Sequence, residues 1–328
     1  MSISIKPFPL ETVGLLAFPE KKQFLLEELE ERFGIVKETI NKAPQFADLI
    51  FLPHDCGKKS LRQENPYWCK NLLLSPLEIS FGSIGEAAFV LKQIQRNWAS
   101  YSTTAFRRTA LIQEKLPYIN FKPRTFPVKI PASQIGIYSL VDNNTLVASA
   151  QTTSPFPCGT IEFVEDHTNP PSRAYLKFQE ALTNAMLRFG KIPQEENRCL
   201  DAGSCPGGWT WVLRNLGCNV LAIDRSELAP SLMEDPRVEF MRHDAFTLPP
   251  QELGRFDWVC SDVICYPERL LKWIFRWLES GLCKNMVCTI KMQGKTNWTL
   301  VEQFDSIPNS CVRHMGYNKH ELTWIHCG

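Results

Sequence analysis

The chain has almost no net charge: 36 Lys and Arg stand against 35 Asp and Glu in 328 residues, a formal +1. That balance excludes a uniformly basic surface that coats nucleic acid indiscriminately, and no DNA partner is expected. No apolar run reaches the roughly 18 residues that a membrane-crossing helix needs. Met1 to Leu10 hold neither a basic segment followed by an apolar one nor a small-residue cleavage site. A cytoplasmic location without a membrane partner is therefore expected. The twelve cysteines include no Cys-x-x-Cys pair, which removes the commonest zinc and redox spacings. Cys199, Cys260 and Cys288 lie in apolar stretches and read as small core residues of a reducing compartment. His54, Cys56 and Cys69 have no evident fourth partner, so no metal is expected. A G-x-G-x-x-G fingerprint is also missing, and with it the usual cradle for a pyrophosphate.

In its place stands Asp201-Ala202-Gly203-Ser204-Cys205-Pro206-Gly207-Gly208-Trp209, an apolar strand running into an acid, a glycine-rich turn and a helix. Gly203 allows a sharp bend and close approach to a ligand, and Pro206 suits a helix start because its missing N–H costs nothing there. A carboxylate at Asp201 would repel phosphate but can accept hydrogen bonds from an amino-acid ammonium group, which S-adenosylmethionine offers. A second strand, Asn219–Asp224, ends in an acid at about the 20-residue distance of a ribose-binding carboxylate. A third, Val238–Arg242, leads to His243 and Asp244, placed to accept from an adenine amino group. One such Asp alone could equally be a helix cap. Three at successive strand ends, behind a glycine turn, point to an adenosyl cofactor.

The chain is long enough for two domains. Val13–Phe18 reads as a strand, Lys21–Phe33 as a helix, and Ala87 through Trp98 as a further helix. Gln134–Val141 and Thr145–Thr152, joined by Asp142-Asn143-Asn144, read as a hairpin. Pro155, Pro157, Pro170 and Pro171 mark a boundary, giving an α+β region over 1–165 and a second domain over 166–328. Beyond the boundary, helix and strand alternate: helix 173–190, strand 198–201, helix 207–216, strands 219–224, 238–242 and 256–261, helix 267–280, strand 286–291, helix 298–305, strands 311–315 and 321–326. Such alternation predicts an α/β, mostly parallel sheet with helices on both faces and ligands at the carboxyl ends of its strands.

Between Lys92 and Lys129, eight basic residues face one acid, Glu114, a local excess of seven positive charges. Trp98, Tyr101, Phe106, Tyr118, Phe121 and Phe126 are interleaved with them. Cations for phosphates beside rings for unpaired bases suit single-stranded RNA, with Arg107, Arg108, Lys122 and Arg124 as the candidate contacts. The same rings can instead form the apolar face of a helix.

Lys177, Asp262 at the end of Trp258–Asp262, Lys291 at the end of Val287–Lys291, and Glu321 opening Glu321–Ile325 form a Lys-Asp-Lys-Glu set. With Ser172-Arg173-x-x-Leu176-Lys177, Asp201-x-Gly203-x-Cys205-Pro206-Gly207-Gly208-Trp209-Thr210 and Ser231-Leu232-Met233, the chain resembles the 2′-O-ribose RNA methyltransferases of the FtsJ type, and within them the RlmM family. The resemblance covers roughly residues 150–328. It implies a Rossmann-like S-adenosylmethionine-dependent methyltransferase domain with a seven-stranded sheet, preceded by a THUMP-like RNA-binding region, and methylation of a cytidine in 23S ribosomal RNA or its precursor. Residues 47–81 do not match that pattern clearly, and the end at Gly328 leaves little room for a substrate-binding tail.

A ribose hydroxyl is a poor nucleophile, and its proton must leave as the oxygen attacks a sulfonium methyl. A lysine assists as base if its pKa is depressed, which a second lysine and partial burial are expected to do. Lys291 is read as base or oxygen-orienting residue, Lys177 as its positive neighbour, and Asp262 and Glu321 as holders of the two ammonium groups. Cofactor contacts are expected from Asp201, Gly203, Cys205, Pro206, Gly207, Gly208, Trp209, Asp224, Asp244 and Asp262. Three alternatives are an RNA chaperone or assembly factor with vestigial catalysis, a 2′-O-methyltransferase acting on another RNA, and a base methyltransferase. The last is disfavoured by Asp262-Val263-Ile264-Cys265-Tyr266-Pro267, which lacks the Asn/Asp-Pro-Pro-aromatic loop.

Overall fold

The computed structural model describes residues 6–328. The chain divides into two compact units, one running up to Arg124 with Lys129–Glu162, the other comprising Thr125–Val128 with Phe163–Gly328.

The first unit contains β1 (Phe8–Pro9), β2 (Val13–Ala17), α1 (Lys22–Glu31), α2 (Lys37–Lys42), β3 (Gln45–Phe46), β4 (Leu49–Leu52), β5 (Cys69–Leu73), β6 (Leu77–Ser80), α3 (Ile84–Ile94), β7 (Trp98–Ser100), α4 (Phe106–Glu114), β8 (Gly136–Leu140) and β9 (Thr145–Ser149). Among the described residues, these strands form two sheets, in the orders β3-β4-β2-β5 and β1-β6-β9-β8-β7. The β8–β9 hairpin closes through Asp142, whose carboxylate accepts from Asn144 N at 2.7 Å. α3 opens with a capping box, Ser83 and Glu86 bonding each other's backbone N–H. The helix expected to run through Trp98 stops at Ile94. Gln95 takes an extended conformation, and Trp98 enters β7, its indole N–H donating to Leu91 O at 2.8 Å and so covering the end of the helix it left.

The second unit contains α5 (Ala174–Phe189), β10 (Arg198–Ala202), α6 (Gly208–Asn215), β11 (Asn219–Asp224), α7 (Pro230–Met233), β12 (Val238–Arg242), α8 (Pro250–Leu253), β13 (Phe256–Ser261), α9 (Pro267–Ser280), β14 (Cys283–Lys291), α10 (Trp298–Asp305), β15 (Ser310–Arg313) and β16 (Glu321–Cys327). Its single sheet has the order β12-β11-β10-β13-β14-β16-β15. β10 to β14 pair in parallel, whereas β16 runs antiparallel to both β14 and β15. The central strands carry Cys199, Leu200, Ala222, Ile223, Val259, Cys260, Val287 and Cys288, all buried. Apolar side chains on both faces suit a strand covered from two sides. α9 starts with Pro267 in its first turn and stops at Gly281 in the left-handed region (φ +65°). It buries Leu270, Trp273, Ile274 and Trp277, with the Trp273 ring stacked on Phe246 at 4.6 Å.

The parallel register brings Ala202, Asp224 and Ser261 to one edge of the sheet. The reversal of β16 delivers its first residue, Glu321, to that same edge, opposite Lys291 at the end of β14.

Candidate active site

At that edge, four side chains close into a ring of alternating charge. Lys177 Nζ, from the first turn of α5, lies 3.0 Å from Asp262 Oδ2 and 2.5 Å from Glu321 Oε1. Lys291 Nζ lies 2.6 Å from Asp262 Oδ1 and 2.8 Å from Glu321 Oε2. Each carboxylate thus binds both amines, and each amine binds both carboxylates. The side chains are between 7% and 19% exposed, so the ion pairs are shielded from bulk solvent, yet water can reach them. Breaking one member of such a set leaves a partner charged and uncompensated, at a cost on the order of 3–5 kcal/mol for fully buried pairs.

The direction of the lysine pKa differs from the sequence expectation. Burial works to lower the Lys291 value, but the carboxylates of Asp262 and Glu321 outweigh it and hold the ammonium above the ordinary lysine range. Two acids in direct contact dominate over the neighbouring amine. Burial likewise works to raise the Glu321 carboxyl, and Lys177 and Lys291 outweigh it, holding the group below the usual range. The ring at rest is therefore built from an ammonium at Lys291 and a carboxylate at Glu321.

Beside the ring, a cavity of about 240 Å³ is lined by Gly203, Ile223, Asp224, Asp244, Val263 and Ile264 among others. Gly203 has φ +81°, and a Cβ at this position would collide with the Val263 side chain. Its backbone N–H donates to Ile223 O at 2.8 Å, pinning the turn to β11. Asp224 stands at the tip of β11, its carboxylate accepting from Cys205 N and Ser226 N at 3.0 Å each. Asp244 accepts from Phe246 N at 3.0 Å and is gripped by Arg225 (2.7 Å) and Arg269 (3.1 Å). Burial raises its pKa, and these three donors together bring it below the usual range.

The other residues of the glycine turn have different surroundings. Asp201 is 1% exposed and accepts from Thr210 Oγ1 at 2.6 Å, tying β10 to the first turn of α6. Its carboxyl is raised to about 7 by burial first and by Asp262 and Asp224 beside it, against the pull of Thr210 in the other direction. Trp209 turns its ring into the core, stacked on Phe178 with centroids 4.3 Å apart, a pairing that contributes about 0.5–1.5 kcal/mol beyond area burial. Pro206 is not the first helical residue. α6 begins at Gly208, capped by Gly207 at φ +112°, because the chain needs the left-handed region to turn from strand into helix. Gly207 packs beside Leu232, and Gly208 against Ser172. Cys205 is exposed, its Sγ donating to Glu227 O at 3.3 Å.

Arg225 and Arg269, which line the cavity through Asp244, were not anticipated. Arg225 follows Asp224 directly and Arg269 sits in the first turn of α9, but a lone arginine next to an acid carries no motif. In the first unit, Arg107 and Arg108 open α4, with the Arg108 guanidinium 5.3 Å from the Phe81 ring centre. Lys122 and Arg124 line a separate hollow. Trp98 is wholly buried, whereas Phe106, Tyr118 and Phe121 are exposed.

Residues 170–313 match the family described as FtsJ-like methyltransferase. Similar proteins include the ribosomal RNA large subunit methyltransferases M of Halorhodospira halophila (37% identity over 158 residues, 48% of this chain and 44% of that protein) and Alkalilimnicola ehrlichii (32% over 184 residues, 54% and 49%). That of Pasteurella multocida is 30% identical over 152 residues, covering 46% of this chain and 42% of the relative. The matched stretch thus spans less than half the length of each of these relatives. Within the second unit, residues 170–313 are thus similar to the FtsJ-like methyltransferases.

Proposed function

We propose that the chain transfers a methyl group from S-adenosylmethionine to a ribose 2′-hydroxyl of ribosomal RNA, with a cytidine of 23S RNA or its precursor as the nucleotide modified. The observation that carries this reading is the closed Lys177–Asp262–Lys291–Glu321 ring beside a glycine-floored cavity. The cavity suits an adenosyl group: Ile223, Val263 and Ile264 supply apolar walls, Asp224 and Asp244 supply acceptors, and Gly203 carries no Cβ to push the Val263 wall aside. The bound cofactor contributes an activated methyl carbon on a sulfonium. In this reading the second unit is a Rossmann-like methyltransferase fold and the first a THUMP-like region that supplies RNA affinity. Twelve free thiols, most of them buried, agree with action in the reducing cytoplasm.

The residues of the ring do the rest. The ammonium groups of Lys177 and Lys291 donate to the 2′-oxygen, aim its lone pair and stabilise the negative charge that grows there. Because Lys291 is held in its charged form, it orients the oxygen, and the hydroxyl proton leaves toward Asp262, whose carboxylate joins both amines. Glu321 fixes the two amines from the other side. Lys291→Ala tests this: methyl transfer should fall by at least about a hundredfold while S-adenosylhomocysteine still binds. Full activity in that variant would reject the assignment.

A further inference from the structure

The hollow lined by Lys122 and Arg124 in the first unit has a volume of about 370 Å³, within the roughly 300–1,000 Å³ of small-ligand sites. Its lining combines Lys70, Lys122 and Arg124 with the rings of Tyr101 and Phe121, against a single carboxylate, Glu162. Lys122, Arg124 and the two rings belong to the basic, aromatic stretch of the sequence, but Lys70 comes from β5, about fifty residues earlier, and only the fold brings it in.

The walls are held in place. Tyr101 carries its hydroxyl against the backbone of Asp48, accepting from Asp48 N at 3.1 Å. The Arg124 guanidinium lies 5.3 Å from the Phe156 ring centre and donates to Asn120 O at 3.4 Å. Opposite, Cys158 (φ +50°) and Gly159 (φ +71°) form a tight turn pressed onto the backbone of Lys70, where a Cβ on Gly159 would meet Lys70 O. Cys158 Sγ donates to Ser100 O at 3.5 Å, tying this turn to β7.

Three cations against one acid favour an anion, and two rings, one of them 47% exposed, favour a flat partner. A duplex offers phosphates but keeps its base faces stacked inside, whereas an unpaired nucleotide offers both at once. We propose that this hollow receives one unpaired nucleotide of the substrate RNA, its base against Tyr101 and Phe121 and its phosphate on Lys70, Lys122 and Arg124. This rests on the reading of the chain as an RNA methyltransferase and extends it by separating Lys122 and Arg124 from Arg107 and Arg108.

The test is fluorescence anisotropy with the full chain and a fluorescein-labelled single-stranded RNA of roughly ten nucleotides, beside a duplex of the same sequence. Phe121→Ala should weaken single-strand binding about tenfold and leave duplex binding within about twofold. Lys122→Gln with Arg124→Gln should weaken it further and flatten its salt dependence by the release of about two counterions. Unchanged S-adenosylhomocysteine affinity and thermal midpoint confirm that the variants are folded. Single-strand affinity unchanged in both folded variants, or an equal loss on duplex and single strand, overturns the proposal. The two readings fail separately. If the native chain methylates RNA and the variants keep its KM, the nucleotide site is wrong and the enzyme stands. If no RNA is methylated yet single strands bind through Phe121, Lys122 and Arg124, the enzyme reading is wrong and the site stands.

Discussion

Lys291 and Glu321 are direct partners across the antiparallel pairing of β14 and β16, the last residue of one strand facing the first of the other. Their contact is fixed by strand register, so it does not depend on a flexible loop. A one-residue slip of β16 against β14 would put Glu321 on the face of the sheet opposite Lys291. Lys177 and Asp262 then complete the ring from α5 and from the end of β13.

This geometry makes the role of Lys291 separable from simple charge. Lys291→Arg keeps a donor that is always protonated, so an orienting role predicts a measurable residual rate, well above that of Lys291→Ala. Because the ammonium is held above the ordinary lysine range, single-turnover rates should stay level across roughly pH 6.5–9. A tenfold rise per pH unit through that window, together with an inactive arginine variant, would instead make neutral Lys291 the proton acceptor.

Glu321 ties the same ring to stability. Its folded pKa is depressed, so its contribution is present above the unfolded value and is lost as pH falls through the folded one. Lys291, raised in the fold, contributes below its unfolded value and loses that contribution as pH rises through the folded one. Glu321→Gln should therefore lower the thermal midpoint at pH 7 by several degrees, and the difference from the native chain should shrink in acid below about pH 4. Equal midpoints at pH 7 would show that the ring contributes nothing to the fold.

Asp201 is expected to behave in the opposite way. Its carboxyl is raised to about 7 by burial, so the fold is favoured below the unfolded value and loses that advantage as pH climbs through about 7. Asp201→Asn should raise the thermal midpoint at pH 8 by a few degrees while weakening S-adenosylhomocysteine binding, measured by calorimetry. A variant less stable than the native chain at pH 8 would mean that the Thr210 bond outweighs the cost of burying the charge.

Gly203→Ala tests the cavity. The new Cβ would strike Val263 in a backbone region that alanine disfavours, and cofactor affinity should drop at least about tenfold. Retained affinity would place the cofactor elsewhere.

Much of the second unit was legible in the sequence because central parallel strands, covered on both faces, write continuous apolar runs such as Asn219–Asp224 and Phe256–Ser261. The acids at their ends were legible for the same reason, since a strand tip fixes where its last side chain stands. The first unit was harder. β1 and β3 are two residues long, and Trp98 continues a helical pattern that breaks at Gln95, where its indole folds back onto Leu91 and Gln95. Also beyond sequence were the two arginines on Asp244 and the raised Lys291, which depend on distances between elements far apart in the chain.

The most direct measurement of the central claim is the position of the transferred methyl group. Ribosomal RNA from cells lacking this protein, incubated with the purified chain and methyl-labelled S-adenosylmethionine, is hydrolysed in alkali. Transfer to the ribose puts the label in an alkali-resistant dinucleotide, because a methylated 2′-oxygen cannot attack the adjacent phosphodiester. Label released in mononucleotides, or no label in any RNA, would contradict it.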